Sequence, residues 1–98
     1  MIEVVGFAWD EKKAQSNVRK HGITFDEALS VFDDIYARLI PDPDHSQKEE
    51  RFILLGLSQK SRILTVVHCY IDEEDIIRII SARKSTKPEQ KQYKEYLI

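Results

Sequence analysis

The apolar residues change their period part-way along the chain. Up to about residue 34 they recur at helical spacing; beyond it they run in short blocks that suit strands. Glu3 to Phe7 (EVVGF) reads as an opening strand. Asp10 is a good N-cap with Glu11 in the first turn, and the helix it opens runs to about His21, stopping at Gly22. Its apolar stripe of Ala14 and Val18 is thin, with Asn17 and His21 on the same face and Trp9 placed to help cover it. Thr24 and Glu27 form a capping box for a second helix, in which Phe25, Ala28, Leu29 and Phe32 follow at helical spacing. Asp33-Asp34 ends it, so the two helices make a tight hairpin across Gly22-Ile23.

Tyr36 to Ile40 then reads as a strand ending at Pro41, and Pro41 to Lys48 (PDPDHSQK) as a loop. Arg51 to Leu57 is a strand, Ser58 to Ser61 a turn, Arg62 to Tyr70 a β-branched central strand, Asp72 to Asp75 an acidic turn, and Ile76 to Ala82 a further strand. Short turns between consecutive strands predict an antiparallel meander. A second capping box, Thr86 with Glu89, opens a last helix with Pro88 in its first turn, running to about Tyr96. The expectation is one α+β domain over residues 1–98, with two N-terminal helices and a C-terminal helix packed on an antiparallel sheet.

With 98 residues the chain has room for one small core, and 33% charged residues fit a globular domain. No apolar run approaches a membrane span, Met1 to Asp10 lacks the pattern of a signal peptide, and the single Cys69 rules out an internal disulfide and a cysteine-rich zinc site. A reducing cytoplasm is the expected compartment, with no membrane partner. The net charge of −2 is uneven: residues 1–50 carry −5 and residues 51–98 carry +3. Arg78, Arg83, Lys84, Lys87, Lys91 and Lys94 face a single anion, Glu89, within seventeen residues. Such a patch can hold a few phosphates, although the acidic chain as a whole should not bind nucleic acid indiscriminately.

Lys87, Lys91 and Lys94 share one side of the last helix, as a solvated face or as a cationic ridge. Arg78 interrupts an apolar strand, where it is either ion-paired or a fixed fork for phosphate. Simple alternation puts Ile77, Ile79 and Ser81 on one face and Arg78, Ile80 and Ala82 on the other. His21, in the last turn of its helix, either packs against that helix end or acts on protons. His68, mid-strand, is either a core histidine or a general acid or base. His45 reads as an exposed loop residue. The three histidines have no metal-binding spacing, and neither a calcium loop nor a glycine-rich phosphate loop is present, so no metal or cofactor is expected.

A longer set of residues extends this reading. Phe7-Ala8-Trp9-Asp10, Lys13, Asn17, Lys20-His21-Gly22-Ile23-Thr24-Phe25, Ala28 and Val31-Phe32-Asp33-Asp34 resemble the BrnT toxin family. So do Pro41 to Ser46, Glu49 to Phe52, Leu64 to His68 and, most specifically, Arg78 to Lys84 with Thr86, Glu89 and Tyr93. The resemblance spans about residues 7–93 in the family's order, with Ser85 where an alanine is usual. It implies a RelE-like fold, RNA cleavage that arrests translation, and neutralisation by a BrnA-like antitoxin. Operator DNA would be bound only through that antitoxin, in a dimer or heterotetramer. The alternative is a non-catalytic binding module or inert relic that docks such a partner.

Metal-independent RNA cleavage needs a base for the 2′-hydroxyl, cations for the phosphorane and an acid for the leaving oxygen. The expected catalytic set is His68, Arg78, Arg83 and Tyr93. Arg62, Lys84, Lys87 and Lys91 are the expected RNA contacts, with His21 as reserve base and Glu89 as an orienting group.

Overall fold

The computed structural model describes residues 6–43, 50–71, 75–95 and 97. Strand β1 (Gly6–Ala8) leads into helix α1 (Glu11–His21). Asp10 caps α1, its carboxylate accepting from the N–H of Lys12 and Lys13. Gly22 closes the helix in the left-handed region at φ 70°, which costs glycine little. Helix α2 (Phe25–Ser30) begins at the Thr24 hydroxyl, which accepts from the Glu27 N–H at 3.0 Å, and decays into a 3₁₀ turn at Val31–Asp33. Strands β2 (Arg38–Pro41), β3 (Phe52–Leu57), β4 (Ile63–Ile71) and β5 (Ile76–Lys84) follow, and helix α3 (Lys87–Glu95) ends the order. The Pro41-to-Lys48 loop with His45, the acidic turn and the first half of the opening strand lie largely outside the described residues.

The strands form one sheet in the order β1-β5-β4-β3-β2. The meander β2-β3-β4-β5 is antiparallel, as the turn spacing predicts. β1 corrects the all-antiparallel expectation: it pairs parallel with β5, Phe7 opposite Ile77, so the sheet is mixed. Nothing local in a three-residue strand shows which distant edge it will join.

Leu54, Val66 and Ala82 form one row across β3, β4 and β5. They belong to the core cluster with Ile77, Ile79 and Leu64 from the sheet and Ile23, Phe25, Ala28 and Val31 from the helical hairpin. Burying these side chains supplies most of the driving force for the fold. Gly56 is fixed by this packing: a Cβ there would lie 2.7 Å from a Val31 methyl and 3.0 Å from Ala37. The neighbouring row, Arg38–Leu55–Thr65–Arg83, is one residue out of phase and so faces the opposite side of the sheet. α3 starts from that side, where its Glu89 meets Arg83, and it lies against β3.

Candidate functional site

β5 does not alternate simply. Val67 pairs with Ser81 and His68 with Ile79, which leaves Ile80 as an extra residue in a β-bulge. The bulge shifts the phase of everything after it. Ala82, not Ser81, joins Ile77 and Ile79 in the core, which overturns the alternation read from the sequence. Arg78, Ser81 and Arg83 are opposite Cys69, Val67 and Thr65, three odd-numbered positions of an unbroken β4, so all three share the non-core face. Two arginines that simple alternation separates are thereby aimed the same way.

Arg83 is not idle there. Its guanidinium donates from Nη1 to Glu89 Oε1 at 2.7 Å and from Nη2 to Oε2 at 3.0 Å. Glu89 Oε1 also accepts the Thr86 N–H at 2.8 Å, and the Thr86 hydroxyl accepts the Glu89 N–H at 3.3 Å, so this capping box is complete. Hydrogen bonds from Arg83 and from Thr86 hold the Glu89 carboxyl down at about 2. Glu89 therefore orients Arg83 and stays charged. Arg78 is exposed, and no hydrogen bond to its guanidinium is seen among the described residues. Lys84 is exposed at the end of β5.

β1 pairs with β5 only as far as Arg78, so the outer edge of β5 is open beyond it. Asn17 of α1 closes that edge. Its Nδ2 donates to the Ala82 carbonyl at 2.8 Å, and its Oδ1 accepts the Ala82 N–H at 3.0 Å, as a neighbouring strand would. The same Nδ2 donates to the Ile23 carbonyl at 2.9 Å. This clasp sets the polar face of α1 beside the bulge. Lys13, Ser16, Asn17, Lys20, His21, Ile80 and Ser81 line a pocket of about 150 Å³ there.

The remaining expected residues lie elsewhere. His68 is fully buried (0% exposed) against the rings of Phe32, Phe52 and Tyr70. Burial pushes its imidazole below the ordinary value, and its Nε2 has no partner among the described residues. In this conformation it cannot meet a hydroxyl from solvent, so the general-base expectation gives way to the core-histidine one. Tyr93 is buried, and its hydroxyl donates to Asp34 Oδ2 at 2.6 Å. Burial and that carboxylate push the phenol up to about 12, which makes it a poor proton donor to a leaving group. Asp34 also accepts the Leu57 N–H at 2.8 Å, so Tyr93 ties α3 to the end of the 3₁₀ turn and to β3. Arg62, expected as an RNA contact, lies apart from the bulge and is held in an ion pair. It grips buried Glu27 through Nε at 2.9 Å and through Nη2, while the Ser58 hydroxyl donates to the same carboxylate at 2.7 Å. Lys87 and Lys91, with Gln90, Lys94 and Glu95, line a separate groove of about 360 Å³ along α3.

The structure thus puts Arg78 and Arg83 on one face with Ser81, and His21 in the adjoining pocket with Lys13, Ser16, Lys20 and Ser81, none of which but His21 was expected from the sequence as a site residue. Positions 13, 16, 17, 20 and 21 share one helical face, a signal that was present in the spacing. A model of the family described as a ribonuclease toxin, BrnT, of type II toxin–antitoxin systems matches residues 9–89. The chain belongs to the BrnT family. Its structure is similar to the crystal structure of the Brucella abortus ribonuclease toxin BrnT, with a TM-score of 0.60 at 25% sequence identity. The match covers 84% of this chain and 97% of that one. No curated protein matches the chain. Asn17 joins two of the strings on which the BrnT resemblance rests, Lys20 to Phe25 and the most specific one, Arg78 to Lys84. No helix among the described residues is long and apolar enough to cross a membrane.

Proposed function

We propose that this chain is an RNA-cleaving toxin that arrests translation in the cytoplasm and is neutralised by a BrnA-like antitoxin. On this reading the fold is a variant of the RelE-like arrangement, one domain over residues 1–98, and operator DNA is met only through the antitoxin, in a dimer or heterotetramer. Family membership supports the ribonuclease class. The observation that carries the site is the β5 bulge, which sets Arg78 and Arg83 on one face beside Ser81. RNA supplies its own nucleophile, the 2′-hydroxyl. The protein must then hold the phosphate, stabilise the extra negative charge of the phosphorane and move two protons, which requires no metal. Arg83, fixed by Glu89, and Arg78, on a rigid strand, are the charge-stabilising pair; Lys84, opposite Leu64, leaves the end of β5 on the other face and is exposed there.

Inducing the chain in cells, with RNA integrity and translation followed together, tests this reading. Arg78→Ala should abolish growth arrest and slow cleavage about 10²–10³-fold while leaving the melting temperature unchanged. Purified Arg78→Ala protein that cuts RNA at the wild-type rate would remove that face from the mechanism. An adjacent gene product that fails to bind the chain or to relieve arrest would sink the antitoxin part.

A further inference from the structure

The pocket between α1 and the β5 bulge has a lining unlike the rest of the surface. Lys13 and Lys20 supply two positive charges, His21 an imidazole, Ser16 and Ser81 two hydroxyls, and no carboxylate lines it among the described residues. The chain as a whole is acidic, so a cavity at the foot of a helix with no carboxylate among its described lining residues stands out. Its two walls are held rigidly. Asn17 is buried and bonds both backbone groups of Ala82, so the lysines and His21 cannot drift from β5. Ser81 enters the lining because the bulge turned it out of the core, onto the face that also carries Arg78 and Arg83. The carboxyl end of α1 has partial negative charge that opposes an anion, but two full lysine charges outweigh it.

We propose that this pocket seats the scissile phosphodiester of RNA, with His21 as the group that accepts the 2′-hydroxyl proton. The inference rests on the ribonuclease reading above and assigns the proton transfer that His68 and Tyr93, both in the interior, leave open. The imidazole takes the proton of the 2′-hydroxyl, whose oxygen forms a new bond to phosphorus. The bond from phosphorus to the 5′-oxygen breaks, and that oxygen takes a proton from the Lys20 ammonium. The products are a 2′,3′-cyclic phosphate and a 5′-hydroxyl. Lys13 and the serine hydroxyls hold the non-bridging oxygens, and Arg78 and Arg83 continue the phosphate path along β5.

The test has two arms. In the first, the purified full chain is titrated with a 2′-deoxy dinucleotide, which binds without reacting, and the His21 imidazole signals are followed by NMR. They should shift saturably, and Lys20→Ala should weaken binding at least tenfold relative to Lys60→Ala, the same charge loss on the β3–β4 turn. Unmoved His21 signals, or equal binding by the two lysine variants, would overturn the pocket. In the second arm His21→Asn, which keeps the ring's polar reach but cannot titrate, should cleave RNA at least a hundredfold slower while binding the dinucleotide within a few-fold of wild type. Cleavage at the wild-type rate by that variant would overturn its proton role. If the wild-type chain cuts no RNA, the ribonuclease reading falls and the proton role falls with it, while the titration alone decides whether the pocket takes a phosphodiester.

Discussion

Replacing Asn17 by alanine would leave three buried backbone groups without partners, the Ala82 N–H and the carbonyls of Ala82 and Ile23. We expect a loss of about 3 kcal/mol, and a melting temperature lower by some 12 °C or more in a domain of this size. Asn17→Asp should be worse, because a carboxylate cannot donate to the two carbonyls; thermal melts of both variants check this. His68 makes the opposite kind of prediction. Its imidazole titrates below its ordinary 6.5 because burial penalises the charged ring. Under 6.5 the unfolded chain therefore binds a proton that the folded chain refuses, so stability is full above that value and falls as the pH drops toward the folded one. Each unit of that window costs about 1.4 kcal/mol. His68→Phe keeps an aromatic ring among Phe32, Phe52 and Tyr70 and removes the unpartnered Nε2. It should match or exceed wild-type stability at neutral pH and flatten the fall below pH 6.5; a wild-type profile already flat there would refute the account. Glu89, held near 2 by Arg83, acts lower down: its contribution is present above 4.5 and lost as the pH falls through that range.

At the scale of elements, the ends of the helices were the most legible part of the sequence. Asp10, Gly22, Thr24 and Thr86 cap where their side chains or backbone freedom say they should, because a cap is a bond between neighbours. Glu27 shows the limit. Its spacing from Thr24 reads as a capping box, yet its carboxylate turns inward to Arg62 and Ser58, thirty-five and thirty-one residues away. Burial pushes the Glu27 carboxyl up, and its bonds to Arg62 and Ser58 outweigh that and hold it charged. The bulge at Ile80 was hidden for a related reason: a run of isoleucines is apolar in either phase, so alternation could not reveal the skipped residue. That hid the shared face of Arg78 and Arg83, and with it most of the candidate site. Arg62→Ala should lower stability by leaving the buried Glu27 carboxylate with Ser58 as its remaining side-chain donor, and adding Glu27→Gln should recover part of that loss. A double-mutant cycle by urea denaturation measures the recovery. Equal stability of single and double variants would show that the latch is solvated rather than buried.

Across the whole molecule, charge of one sign is gathered where α1, β5 and the start of α3 meet, although the total charge is −2. Binding of single-stranded RNA through Lys13, Lys20, Arg78 and Arg83 would release about one counterion per cation. The logarithm of the association constant should then fall against the logarithm of salt concentration with a slope near −2.8, at ~0.7 per contact. Each alanine replacement among the four should make the slope shallower by about that unit. Lys91→Ala, in the separate groove on α3, distinguishes a local track from one that continues along the helix: an unchanged slope confines RNA to the β5 face. Fluorescence anisotropy with a labelled oligonucleotide over a salt series reads all of these.

The clasp between Asn17 and Ala82 also sets a schedule. Its two halves lie sixty-five residues apart, and the parallel pairing of β1 with β5 spans a similar stretch, whereas the meander forms between near neighbours. During synthesis α1 leaves the ribosome long before the strand that completes its pocket. A chain stopped short of Ala82 has Lys13, Lys20 and His21 but no wall to set them against. Under the proposed activity, toxicity should therefore appear abruptly, not gradually, once a series of C-terminally truncated chains is long enough to include β5, and a nascent chain should be harmless to the ribosome that is making it.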